Sequence, residues 1–190
     1  MKFTQIPAQA FQQIQINAGI LVKNFVPTTG TISDILGATS GGFNFKATPS
    51  YKDFGEDIDN CPKNTKQLKK LDSWEATLGG TFATVTAESV KILIGAADAD
   101  SDDATHIVPR NEILEGDFED LWWVGDYSDK NSDSNAGFCA IHMKNALNTD
   151  GFQIQSSDKE KGKFAFNFTA HYDLTNPDEV PFEVYVKAGT

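Results

Sequence analysis

The chain has 190 residues, with 27 acidic against 16 basic side chains and a net charge of -11. That length allows one domain with a substantial core. The acidic balance is the reverse of the positive footprint that tight DNA or RNA binding requires. Two cysteines, Cys61 and Cys139, make no disulfide framework and no CxxC pair.

Residues 1–12 read as a short lead-in without the apolar core of a signal peptide, so synthesis and first residence in a cytosol are expected. From about Gln13 to Val22 the chain alternates. Ile14, Ile16, Ala18, Ile20 and Val22 fall on one face; Gln13, Gln15, Asn17 and Lys23 fall on the other. Successive strand side chains point to opposite faces, so this is a half-buried strand. Pro27 to Gly30 marks a turn, and Gly41 to Ala47 is a second strand with Phe43 and Phe45 inward.

Thr48 to Ser73 reads as one long polar loop with segregated charge. Asp53, Glu56, Asp57 and Asp59 come first; Lys63, Lys66, Lys69 and Lys70 follow. Loops of that length are uncommon inside a compact domain and tend to be functional. The plain reading is a solvated face. The functional reading is a docking loop that meets a neighbouring molecule.

Trp74 to Val85 resumes the strand pattern, with Trp74, Ala76, Leu78 and Phe82 on one face and Gly79-Gly80 as a bulge or turn. Thr86 is an N-cap candidate for a helix running to Ala97, with Val90, Leu93, Ile94 and Ala97 on its buried face. Asp98 to Asp103 is an acidic turn. Leu121-Trp122-Trp123-Val124 is apolar on both faces, which fits a strand covered on both sides or one face meeting another subunit. Ser128 to Asn135 is a polar, hairpin-like connection, and Phe138 to Leu147 is a further strand. The clearest alternation lies at the C-terminal end: Phe164, Phe166, Phe168, Ala170, Tyr172 and Leu174 against Lys163, Ala165, Asn167, Thr169, His171 and Asp173. After a turn at Asn176-Pro177-Asp178, Val180, Phe182, Val184 and Val186 form the last strand. The layout predicts mainly antiparallel β structure, a sandwich or partly open barrel with one flanking α-helix, as a single domain over 1–190.

Catalytic and metal signatures fail on their spacing. Asp98, Asp100 and Asp102 start like a calcium loop, but Asp103 stands where glycine is needed and Pro109 where a bidentate glutamate is needed. His106, His142 and His171 show no metal-ligand spacing. Glu115 and Asp117 form a carboxylate pair of the kind a glycosidase uses, but among 27 acids such pairs arise freely. The Asn167-Phe168-Thr169 glycosylation sequon falls inside a strand. No run approaches the roughly 20 apolar residues of a membrane span. No enzyme activity, cofactor or metal is expected.

Several stretches carry a family resemblance: Gly42-Phe43-Asn44-Phe45, the run from Pro49 to Gly55, the run from Leu68 to Trp74, and the run from Leu121 to Tyr127. With the early strand Gln13–Val22, the long loop, the helix after Thr86 and the closing strands Lys163–Leu174 and Val180–Lys187, nearly the whole chain resembles the major tail tube proteins of long-tailed bacteriophages, especially those of Gram-positive hosts. The resemblance implies a virion component assembled in the host cytoplasm. It implies hexameric rings, stacked into a tube that conducts DNA as transient cargo, with one sheet per subunit joined into an inner barrel and the long loop bridging rings. It implies tape-measure, baseplate and terminator proteins as partners, and no membrane. On that basis the polar sides of the candidate inner strands, Gln13, Gln15, Glu75 and Thr77, are candidates to line the lumen. The alternative is a β-sandwich carbohydrate-binding module with Trp122 and Trp123 as its stacking platform.

Overall fold

The computed structural model describes residues 6–7, 10, 13–127 and 137–188. In chain order the described elements are β1 (Gln15–Val26), β2 (Thr31–Ile35), β3 (Asn44–Asp53), β4 (Lys69–Phe82), α1 (Ala87–Ile94), β5 (Ala97–Ala99), β6 (Ile107–Pro109), a 3-10 turn (Glu115–Asp117), β7 (Glu119–Tyr127), β8 (Phe138–Asn148), β9 (Phe164–Ala170) and β10 (Phe182–Lys187). The fold is mainly β, a curled antiparallel half-barrel with one helix beside it. The lead-in over 1–12 and the connection over 128–135 fall almost wholly or wholly outside the described residues.

The principal sheet runs β2-β1-β7-β8-β9-β4-β3, with β10 attached to β8. β8 is where the sheet forks. One edge of β8 pairs with β7; on the other edge Phe138–Met143 takes β10 and Ala146–Asn148 takes β9. The two branches then face each other. Phe182 of β10 meets Phe45 of β3 at 5.6 Å and Trp74 of β4 at 5.5 Å between ring centroids. Phe43 meets Trp123 at 6.4 Å. Between the layers lie Leu21, Leu78, Phe82, Leu121, Met143, Phe166 and Phe168, all buried. Fully burying each such side chain stabilises the fold by roughly 1.5–3 kcal/mol.

The Phe-rich strand packs as its alternation predicts: Phe164, Phe166, Phe168 and Ala170 are buried. It stops at Ala170, and Tyr172 and Leu174 are exposed. Gly79-Gly80 neither bulges nor turns. The ladder continues through both residues, and a Cβ on Gly80 would meet the Phe166 ring at 2.5 Å, so glycine makes room for that ring.

The helix is shorter than its apolar spacing suggests. Thr86 accepts from the Ser89 N–H as N-cap, Gly95 ends the helix, and Ala97 already belongs to β5. Leu93 plugs one end of the half-barrel, and the Asn148 amide donates to the Leu93 carbonyl at 2.6 Å. Lys23 reaches Glu88 of α1 at 2.9 Å and Glu119 of β7 at 3.1 Å.

Four further expectations change. Strand β1 breaks its alternation: Asn17 and Gly19 have positive φ, and register shifts between Ile16 and Ile20. The Trp123 indole N–H donates to the Ala18 carbonyl inside this irregularity, and Ile14 and Ile16 stay exposed. The expected loop over 48–73 is largely strand, since β3 runs to Asp53 and β4 begins at Lys69. A ladder with water on both faces needs no apolar alternation, which is why its sequence reads as loop. Three short strands, β2, β5 and β6, went unread. The last strand, β10, begins at Phe182 and leaves Val180 out, and its Val184 and Val186 are 53% and 58% exposed, because β10 is a margin.

Candidate functional site

Strand β9 pairs β4 only over Thr77–Phe82. From Pro49 and Trp74 outward, β3 and β4 have no third strand beside them among the described residues. Five rungs, from Pro49 with Trp74 to Asp53 with Lys69, project as a two-stranded ribbon with a shift in register after Ser50. Asp53 closes the loop at its tip. Its carboxylate accepts from the Gly55 N–H and the Asn64 N–H, each at 2.9 Å. These two backbone donors, with Lys69 nearby, hold the Asp53 carboxyl below its ordinary range.

The structure therefore divides the charged candidates of this segment. Asp53 is engaged within its own loop. Lys69 donates to the Asn64 side chain at 3.2 Å and lies over the Tyr51 ring, and Lys70 lies over the Phe54 ring. Glu56, Asp57, Asp59, Lys63 and Lys66 are exposed, and none makes an ion pair among the described residues. Sequence reasoning missed the apolar residues interleaved with them. Tyr51, Phe54, Ile58 and Leu71 are each about half exposed (48–58%).

The four lumen candidates separate into two places. Glu75 and Thr77 alternate with the buried Ala76 and Leu78, so they lie on the outer face of β4. Their ladder partners there are Thr48 and Lys46 of β3 and Thr169 of β9. The result is a polar face of three threonines with one glutamate and one lysine. Gln13 and Gln15 are exposed at the start of β1, and the Gln15 amide turns back onto the carbonyls of Ile16 and Asn17. Gln15 pairs with Tyr127, on the Trp123 side of β7. Strands β7, β8 and β9 lie between it and β4.

In the principal sheet three strands have no second ladder partner among the described residues: β2, β3 and β10. Strand β3 carries Pro49, Lys46 and Lys52, and β2 carries Asp34 at a positive φ of 58°. Proline, lysine and a distorted backbone discourage pairing with another strand. Strand β10 carries Glu183 and, at its end, Lys187; between them Val184-Tyr185-Val186 has neither charge nor proline. The rows of apolar side chains on the inner face run out onto it: Leu21, Trp123, Ile141 and then Val184 follow rung by rung.

The two tryptophans do not form a platform. Trp122 and Trp123 point to opposite faces of β7. Trp122 is 8% exposed and stacks flat on His142 at 4.0 Å, with Phe25 and Tyr185 around it. Trp123 packs toward Phe43 with its indole N–H spent on Ala18. Burial holds the His142 imidazole below its usual value, against the pull of Asp120 and Glu183. Burial also pushes the Cys139 thiol above its ordinary value. Among the described residues no His, Cys, Asp and Glu group is arranged to hold a metal ion. No helix among them is long and apolar enough to cross a membrane. Glu115 and Asp117 are not a matched pair. Asp117 is buried and bonded to Arg110 at 2.5 Å and to the Leu114 N–H at 2.8 Å.

No family model matches the chain, and no curated protein matches it.

Proposed function

We propose that this chain is a structural subunit of a phage tail tube, assembling with copies of itself into stacked hexameric rings that conduct DNA. The observation that carries this reading is the β10 margin, where Val184, at the end of the Leu21–Trp123–Ile141 row, and Val186 are left half exposed. Pairing that edge with another copy would cover both side chains and satisfy the free backbone groups. The projecting ribbon supports the same reading, because it places apolar and charged side chains well outside the body. The polar face around Glu75 and Thr77 suits a lumen wall, and a net charge of -11 suits a conduit to which phosphates do not adhere. In this role the protein binds no cofactor and catalyses nothing. Tape-measure, baseplate and terminator proteins are its other partners, and the virion tail, assembled in the host cytoplasm, is its place.

Electron microscopy of the purified protein in negative stain tests this. Rings or tubes of uniform width are expected. The double variant Val184→Lys/Val186→Lys is expected to stay folded by circular dichroism and to form none. A wild-type chain that remains monomeric even in a lysate containing its assembly partners would remove the reading.

A further inference from the structure

Beside the root of the ribbon lies a cleft of about 410 Å³, walled by Phe118, His171 and Tyr172 and rimmed by Glu115, Asp173 and Leu174. Three separate chain segments build it, the third through Asn145 of β8. Phe118 and His171 meet edge to face at 5.2 Å. The Tyr172 hydroxyl accepts from the Trp74 N–H at 2.8 Å, which fixes the cleft against the rung where the ribbon leaves the body. Glu115 and Asp173 are exposed and make no ion pair among the described residues. The Asp173 carboxylate accepts from the Thr175 N–H at 2.8 Å, which lowers its pKa and keeps it ionised.

Aromatic walls under two carboxylates suit a side chain with an apolar stem and a cationic head. The same molecule presents two such side chains at its far end, Lys63 and Lys66, both exposed and without an ion pair among the described residues. They do not serve their own cleft. Five rungs of ladder separate the cleft from the tip, a span of roughly 15 Å. The Asp53 hydrogen bonds hold the tip loop in place at the end of that span.

We infer that the cleft between Glu115 and Asp173 receives Lys63 or Lys66 of a second copy of this chain. The inference rests on the tube reading and names the contact that would join successive rings. Tip and cleft are different surfaces, so each copy that docks leaves one tip and one cleft free. Such a heterologous contact adds copies in one direction and builds an open filament when its rotation does not close a ring. The exposed Phe54 and Ile58 beside the lysines supply apolar area, and the ion pairs set the register. Charges at this exposure are screened over about 8 Å at physiological ionic strength, so the contact weakens with salt.

The test mixes ¹⁴N- and ¹⁵N-labelled full-length chains under assembly conditions and joins amines to carboxylates with a zero-length carbodiimide. Mass spectrometry then identifies the linked peptides. Mixed-isotope peptides linking Lys63 or Lys66 to Glu115 or Asp173 are expected, with their loss in 1 M salt and in Lys63→Glu/Lys66→Glu. Adding Glu115→Lys to that double variant is expected to restore tube length. If tubes form but Lys63 and Lys66 link elsewhere or not at all, the inference is overturned and the tube reading stands. If the chain stays monomeric and no mixed-isotope link forms, both fall.

Discussion

The two halves of the β3–β4 hairpin share a ladder and little else. In the inner half, Ala76, Leu78 and Phe82 are at most 1% exposed, and β9 pairs along one side. In the outer half, Tyr51, Phe54 and Leu71 are about half exposed, and each strand has only the other. The inner half is held by burial. The outer half is held by local hydrogen bonds, cation–ring contacts and the Asp53 loop closure. An isolated two-stranded ribbon is marginal in water, so the ribbon is the low-stability end of the molecule, and its apolar surface is available to a partner.

Substitutions separate the two halves by size of effect. Phe168→Ala removes a ring with no exposure from the body and is expected to cost about 3–5 kcal/mol in chemical denaturation. A loss below 1 kcal/mol would mean the body is not the stabilising half. Gly19→Ala comes next. Gly19 has a φ of +74°, and an added Cβ would meet the Trp123 indole nitrogen at 2.6 Å and the Val124 carbonyl at 2.7 Å. The expected cost is about 1–3 kcal/mol, read by denaturation and by a shift in Trp fluorescence.

The smallest effect sharpens the contrast most. Because the Asp53 carboxyl is held below its ordinary range, its contribution to loop order is fully present above the unfolded aspartate value. It is lost as pH falls through the lowered value. Amide hydrogen exchange at Gly55 and Asn64, corrected for the intrinsic rate, should lose protection in acid while the Thr77–Phe82 amides of β4 keep theirs. Asp53→Ala should show the unprotected tip at neutral pH with no change in the global transition. Simultaneous loss of protection in both halves would show that the hairpin opens as one unit.

Much of the body is legible from residue order. Phe164, Phe166 and Phe168 announce their strand and its buried face, and Thr86 with the following apolar spacing announces the helix. The margins are not legible. Val184 and Val186 alternate as cleanly as the Phe residues of β9, yet they are exposed, because β10 has a neighbour on one edge alone among the described residues. The ribbon fails in the opposite sense. Its residues look like loop because neither of its faces is buried, although the hydrogen-bond ladder is intact. Of the candidate contact residues, the exposed acids and lysines at the tip were visible as charge blocks. The interleaved Tyr51, Phe54, Ile58 and Leu71 gave a signal only in their departure from a polar loop's composition.

Alternation along the chain was enough to specify strands and a core rich in phenylalanine, and the helical spacing after Thr86 a capped helix, because side-chain direction is a local property of the backbone in both. Three things required the folded chain: the fork at β8, the placing of Gln15 and Glu75 far apart, and the meeting of Glu115 with Asp173 at one cleft. Each depends on which strands become neighbours. Burial is conferred by those neighbours, and no spacing within one segment records who they are.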